Sequence, residues 1–290
     1  MSEKVLLVSD STTDLSPELI ERYGVKILPL GVTLGEDLYS DGVDIDPDRI
    51  YEYYENNGTL PKTSAVNMAD FADAFEEYTK EGYSVVCFTI SAEMSSTYHN
   101  ACLAAEEFEN VFVVDTRNLS TGGGLILAAA GDMVKEGKSA SEIAEACRAL
   151  CGKIDASFIV DDLEFLHKGG RCSAVAAFGA NRLLLKPCIT VRGGKMGVGK
   201  KYRGKFAQVL DKYIAEQLGD ASDVELDRIF VTHAGCDEDI YTACVEKVKS
   251  IAPFKEVCVT RAGCTISSHC GRNTLGVLFI RKNPIMYIFS

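Results

Sequence analysis

Along the first half of the chain, short apolar runs alternate with polar, glycine-bearing stretches and then with segments of helical spacing. That rhythm predicts a parallel α/β sheet, whose strands are buried on both faces and joined by crossover helices. The first unit reads as a strand at 4–8, a polar loop at 9–14 and a helix through Arg22, with Ser16 as N-cap and Pro17 at the first helical position. A second strand follows at 25–30. Asp46-Pro47-Asp48 opens another helix, carrying Ile50, Tyr51 and Tyr54 and stopping at Asn57-Gly58. A helix at 67–80 places Met68, Phe71, Ala72 and Phe75 at helical spacing. Strands are predicted at 84–90 and 111–114, followed by loops at 91–97 and 115–124 and by helices, the second of them alanine-rich.

Open parallel sheets bind ligands just outside the carboxyl ends of their strands. The loops expected there are 9–14, Thr63-Ser64, 91–97 and 115–121, and hydroxyl residues dominate all four. Serine and threonine favour turns and caps, so each residue alone reads as structural. Four such loops on one edge instead predict a site in which hydroxyls and a histidine hold a small anionic head group without burying a permanent cation. The second half reads as a mixed α+β unit, with strands near 187–192, 228–232, 256–260 and 275–280. The expected division is an N-terminal domain at 1–158, a C-terminal domain at 159–282 and a tail at 283–290. The tail's Ile285, Met286, Ile288 and Phe289 are expected to pack on the core or on a neighbour.

Charge changes this picture in one place. The 290 residues carry 30 cations against 42 acids, a net charge of −12, which argues against nucleic acid as a partner. Residues 165–210, however, hold ten cations and no acid: Lys168, Arg171, Arg182, Lys186, Arg192, Lys195, Lys200, Lys201, Arg203 and Lys205. Such an island suits a solvated face, a phosphate site or a docking surface for an acidic partner. Eleven cysteines, an odd number scattered through apolar runs, read as reduced core thiols of a cytoplasmic protein. The apolar stretch at 5–8 is too short for a secretory leader or a membrane span.

Several motifs for chemistry fail on inspection. The run Gly194-Lys195-Met196-Gly197-Val198-Gly199-Lys200-Lys201 nearly matches a phosphate-binding loop, but Lys201 replaces the magnesium-binding hydroxyl and no clear helix follows. Cys147 with Cys151, and His233 with Cys236, lack the further ligands a metal site needs. Cys270 beside His269 is not a catalytic pair, because adjacent residues rarely point at each other, and no nucleophile elbow is present. Two residues invite a functional reading. His269 lies in Ser267-Ser268-His269-Cys270-Gly271, read as a polar turn between two strands and open to a pocket. Arg171 follows Gly169-Gly170, whose freedom projects the cation outward.

In order along the chain, the motifs Ser9-Asp10-Ser11-Thr12-Thr13-Asp14, Lys62-Thr63-Ser64, Ser91-Ala92-Glu93-Met94-Ser95-Ser96-Thr97-Tyr98, Asp115-Thr116 with Ser120-Thr121-Gly122, Leu163-Glu164-Phe165-Leu166 with Gly169-Gly170-Arg171, and the late His269 make the sequence resemble the DegV proteins, the fatty-acid-binding subunits of bacterial fatty acid kinase. The resemblance covers about residues 5–280. It implies a Rossmann-like parallel-sheet domain, a mixed α+β domain and a ligand tunnel between them. It further implies that Thr63 and Ser95 bind the carboxylate of a long-chain fatty acid, with Ser64, Ser96 and His269 near it, and that Arg171 engages an ATP-dependent kinase subunit. On this reading the chain has no catalytic residue, metal or cofactor of its own, and its partners are the fatty acid (palmitate or oleate), the kinase and, transiently, a membrane. The sequence departs from the family where Ala65-Val66-Asn67 stands for a common Gln-Pro-Ser, where Cys270-Gly271-Arg272-Asn273 follows the histidine in place of Gly-Pro-Gly, and where Ser95-Ser96-Thr97 stands for Ser-Gly-Thr. The readings that remain beside it are an enzyme for a small carboxylate or phosphate, and a ligand-responsive regulatory module.

Overall fold

The computed structural model describes residues 3–177 and 185–285; Arg182 of the basic segment and Met286, Ile288 and Phe289 of the tail lie outside them. The chain begins a parallel sheet with β1 (Val5–Asp10), α1 (Pro17–Tyr23) and β2 (Lys26–Leu28). It then leaves the sheet for β3 (Gly31–Leu34), β4 (Asp37–Ser40), α2 (Pro47–Asn57) and β5 (Lys62–Ser64). It returns through α3 (Met68–Lys80), β6 (Ser84–Thr89), α4 (Thr97–Ala105) and β7 (Val111–Asp115), and closes the first half with α5 (Thr121–Lys135) and α6 (Ala140–Leu150). The helices begin where local caps start them: Ser16 Oγ accepts from Leu19 N, Asp46 Oδ1 from Arg49 N and Asn67 Oδ1 from Asp70 N, while Ser139 and Glu142 form a capping box.

The second half comprises β8 (Ile154–Val160), α7 (Glu164–Gly169), β9 (Leu185–Arg192), β10 (Lys195–Arg203), α8 (Phe206–Leu218), β11 (Val224–Ala234), α9 (Glu238–Ile251), β12 (Glu256–Arg261), α10 (Cys264–Cys270) and β13 (Thr274–Arg281). Its strands form a six-stranded mixed sheet in the order β10-β9-β8-β13-β11-β12, against the parallel order β2-β1-β6-β7 of the first sheet. β8 pairs on both sides within the six-stranded sheet, so the second sheet begins at Ile154, five residues before the division expected after 158.

Burial arranges these elements in five layers. α3 and α4 cover one face of the parallel sheet, α5 and α6 lie between the two sheets, and α8 and α9 cover the far face of the mixed sheet. A helix between two sheets has no solvent face, and Leu125, Ile126, Leu127 and Ala130 of α5 are all buried in the shared core. This position also corrects the loop expected at 115–124. The helix starts at Thr121 and takes in the glycine run, where a Cβ on Gly124 would lie 2.9 Å from the Thr13 carbonyl. Glycine is required there because the helix passes too close to the 11–14 segment for any side chain.

Two further expectations change. Thr63-Ser64 is not a loop of the parallel sheet but part of β5, which with β3 and β4 forms a separate antiparallel sheet of three short strands. The glycine-rich run at 194–201 is a strand in an antiparallel hairpin, turning at Gly193 and Gly194 with φ of 59° and 85°. Positive φ at both central residues suits a tight hairpin turn, and α8 does follow it, but without a phosphate loop between them.

Candidate functional site

A cavity of about 390 Å³ opens where the C-terminal ends of β2 and β6, the small sheet, the tip of the β9–β10 hairpin and α10 meet. Thr63, Ser64, Ser95, Ser96, His269 and Arg171 all line it, so the structure brings all six sequence-selected residues to one place. Its apolar wall comes from Leu30, Ile90, Met94, Leu119, Met196 and Ile266. None of the six carries a site signature in the sequence, because apolar residues of loops, strands and helices look the same as core.

His269 is carried by α10, not by the turn read from sequence. Seven residues rich in Cys, Ser and Thr have little helix propensity, and the helix is bounded by Gly263 and by Gly271 at φ 75°. Its Nε2 lies 2.9 Å from Thr63 Oγ1, while Nδ1 is buried beside Gly169 without a hydrogen-bond partner among the described residues. Burial, reinforced by the Arg171 charge, pushes its pKa down from 6.5 to about 4, so the imidazole is neutral at pH 7. A neutral imidazole offers one donor and one acceptor, and the Thr63 hydroxyl can play either part.

Successive residues of a strand face opposite ways, so Thr63 turns toward α10 while the exposed Ser64 sits beside Gly31 on the other face of the small sheet. Ser95 Oγ lies 2.9 Å from Thr97 Oγ1 and accepts from Thr97 N, which fixes the entry to α4. Thr97 itself was not picked out from the sequence. Ser96 occupies the N-cap position without making a cap bond and is exposed. The hairpin tip leans on this loop through Ser91 Oγ to the Gly194 carbonyl at 2.7 Å and Lys195 to Glu93 at 3.2 Å. Where the family pattern is broken after Ser64, Asn67 caps α3 and Ala65 lines the cavity.

The other two hydroxyl loops are not part of the lining, Leu119 excepted. Ser9, Thr12, Thr13 and Thr116 are buried, and their hydroxyls are consumed within the fold; Thr12, for example, donates to Asp10 at 2.6 Å. A clasp built from four loops is therefore corrected to one built from β5, the 91–97 loop and α10.

The basic island is largely neutralised. Lys168 pairs with Glu164, Lys186 with Asp161, Arg192 with Asp155 and Lys200 with Glu216. Arg171 is different: it is exposed, donates from Nη1 to the Gly169 carbonyl and lines both the cavity and an outer groove of about 570 Å³. Lys62, Lys168, Thr63 and His269 also border that groove. Cys147, Cys151 and Cys236 donate their thiol hydrogens to backbone carbonyls. No helix among the described residues is long and apolar enough to cross a membrane.

Against known proteins, residues 4–282 match the family model described as "Uncharacterised protein, DegV family COG1307". A DegV domain-containing protein of Clostridium perfringens is 31% identical over 282 residues, covering 97% of this chain and 99% of its own. Among solved structures, a fatty-acid-binding DegV family protein from Thermus thermophilus superposes with a TM-score of 0.89 at 32% identity, over 96% of this chain and 99% of that one. A stearic acid-binding protein from Eubacterium ventriosum gives 0.81 at 29%, over 95% and 98%. With a family model spanning almost all of its described residues, the chain belongs to the DegV family.

Proposed function

We propose that the protein binds a long-chain fatty acid in its buried cavity and presents the carboxylate to a separate, ATP-dependent fatty acid kinase in the cytoplasm. The observation that carries this reading is the cavity's mixed lining: six apolar side chains share it with Thr63, Ser95, His269 and Arg171, and three of these, Thr63, His269 and Arg171, also border the outer groove. A volume of about 390 Å³ lies in the usual range for small-molecule sites. Burying each CH₂ contributes about 0.8 kcal/mol, so a sixteen-carbon tail gains on the order of 10 kcal/mol before association costs. The tail dominates affinity and the polar side chains set orientation. Solved relatives described as binding fatty acids support the ligand class.

Thr63 and Ser95 would hold the carboxylate, with Ser64, Ser96 and His269 around it. Arg171, standing between the cavity and the cationic outer groove, would meet the kinase or its phosphate. The chain does not itself transfer phosphate on this reading. The test is solvent extraction of the purified protein followed by mass spectrometry, with stoichiometric fatty acid expected. Neither co-purified lipid nor binding of added palmitate or oleate would rule the reading out. Arg171→Ala is expected to leave lipid binding intact and to abolish coupling to the kinase; loss of both would make Arg171 structural.

A further inference from the structure

The motif Ser9-Asp10-Ser11-Thr12-Thr13-Asp14 lies outside the cavity, yet Asp14 holds the start of the helix that carries His269, and Ser11 holds Asp41, which does the same. The N–H groups that open α10 find their acceptors more than 200 residues away. Gly263 N donates to Asp14 Oδ1 at 2.8 Å, Cys264 N to Asp41 Oδ1 at 2.8 Å and Thr265 N to Asp41 Oδ2 at 3.1 Å. Both carboxyl groups are buried and are themselves held: Ser11 Oγ donates to Asp41 Oδ2, and Ser120 Oγ is hydrogen-bonded to Asp14 Oδ2. A helix of seven residues, about 10 Å long, is too short to be stable by itself, so its position is set by what grips its ends.

Asp41 follows β4 directly, and its own N–H is fixed to the Leu30 carbonyl at 2.9 Å. β4 pairs with β3, and β3 pairs with β5 through Val32 opposite Thr63. One carboxylate therefore fastens the sheet bearing Thr63 to the helix bearing His269. Neither Asp14 nor Asp41 lines the cavity.

We propose that Asp41, seconded by Asp14, is a positioning residue that sets the Thr63–His269 contact and thereby the geometry of the head-group site. The groups facing Asp14 are Ser120, the Gly263 N–H, Asp41, Asp10 and the Cys270 thiol. Desolvation raises its pKa to about 8. Asp10 belongs to the same buried group but grips a different element, accepting from Ile90 N at 2.7 Å, which makes it a control.

The experiment is an NMR titration of the His269 ring in the full chain without ligand, together with palmitate titrations across pH. Asp41→Asn removes one of the two acceptor oxygens, and Ser11→Ala is a milder variant that releases the carboxylate without altering it. Both are expected to move the His269 midpoint from about 4 toward 6.5, as the ring loses its fixed burial, whereas Asp10→Asn leaves it in place. Palmitate affinity at pH 7 is expected to fall about tenfold in Asp41→Asn, with a new step in its pH profile near 6.5. Lower thermal stability with an unmoved His269 midpoint and an unchanged palmitate profile would overturn the proposal. It rests on the fatty-acid reading only for the palmitate arm. If the parent protein fails to bind palmitate, that reading falls, while the ligand-free titration still decides the positioning role.

Discussion

His233 and His269 occupy closely similar electrostatic surroundings and end in different states of satisfaction. Burial lowers both to about 4, helped by Arg261 at the first and by Arg171 at the second. The His233 ring stacks on Tyr241 at 4.5 Å, and its Nδ1 accepts from Cys236 N. His269 has Thr63 on one nitrogen, no partner among the described residues on the other, and a cavity before it. A depressed pKa thus marks burial alone. Incomplete hydrogen bonding at the edge of a cavity marks a group arranged for something outside the chain.

The largest expected effect separates the two directly. His269→Ala should weaken palmitate binding roughly 10- to 100-fold, the worth of a hydrogen bond to a charged group, as read by calorimetric titration. His233→Ala should leave that affinity alone and cost about 1–2 kcal/mol of unfolding free energy in urea. Equal affinity losses in both would break the comparison.

Acid titration sharpens it. A histidine with a lowered folded pKa contributes stability that is present above about 6.5 and is lost as pH falls through 4. The urea midpoint should therefore drop across that window, and saturating palmitate should reduce the drop by stabilising the His269 imidazolium, with no such rescue at His233. The buried acids run the other way. Asp14, raised to about 8, contributes stability that is present below its unfolded value and is lost as pH rises toward 8. Asp14→Asn should thus compare progressively better with the parent protein between pH 5 and pH 9. Ser96→Ala carries the smallest expected change, about 1 kcal/mol or a few-fold in palmitate affinity, because the exposed Ser96 stands beside the carboxylate and does not hold it.

Which parts were legible follows from where the organising contacts lie. α1, α2 and α3 announce themselves because Ser16, Asp46 and Asn67 cap them from the adjacent position. α10 looks like a turn in the sequence because its N–H groups are satisfied by Asp14 and Asp41, a tertiary arrangement that leaves no local signature. The small sheet escaped for a related reason: β5 has three residues, too few for an alternating pattern, and Thr63-Ser64 looked like another hydroxyl loop. Composition pointed equally to all four hydroxyl loops. Burial divides them, enclosing Ser9 and Thr13 while leaving Ser95 and Ser96 to line the cavity.

The placement of α5 between the two sheets has a consequence for cooperativity. Peeling the sheets apart would bare Leu125, Ile126 and Leu127 along with the strands on either side, and each half would keep only the core on its outer face. The chain should therefore melt in a single calorimetric transition, and cutting it after residue 158, inside β8, should yield two fragments that do not fold alone.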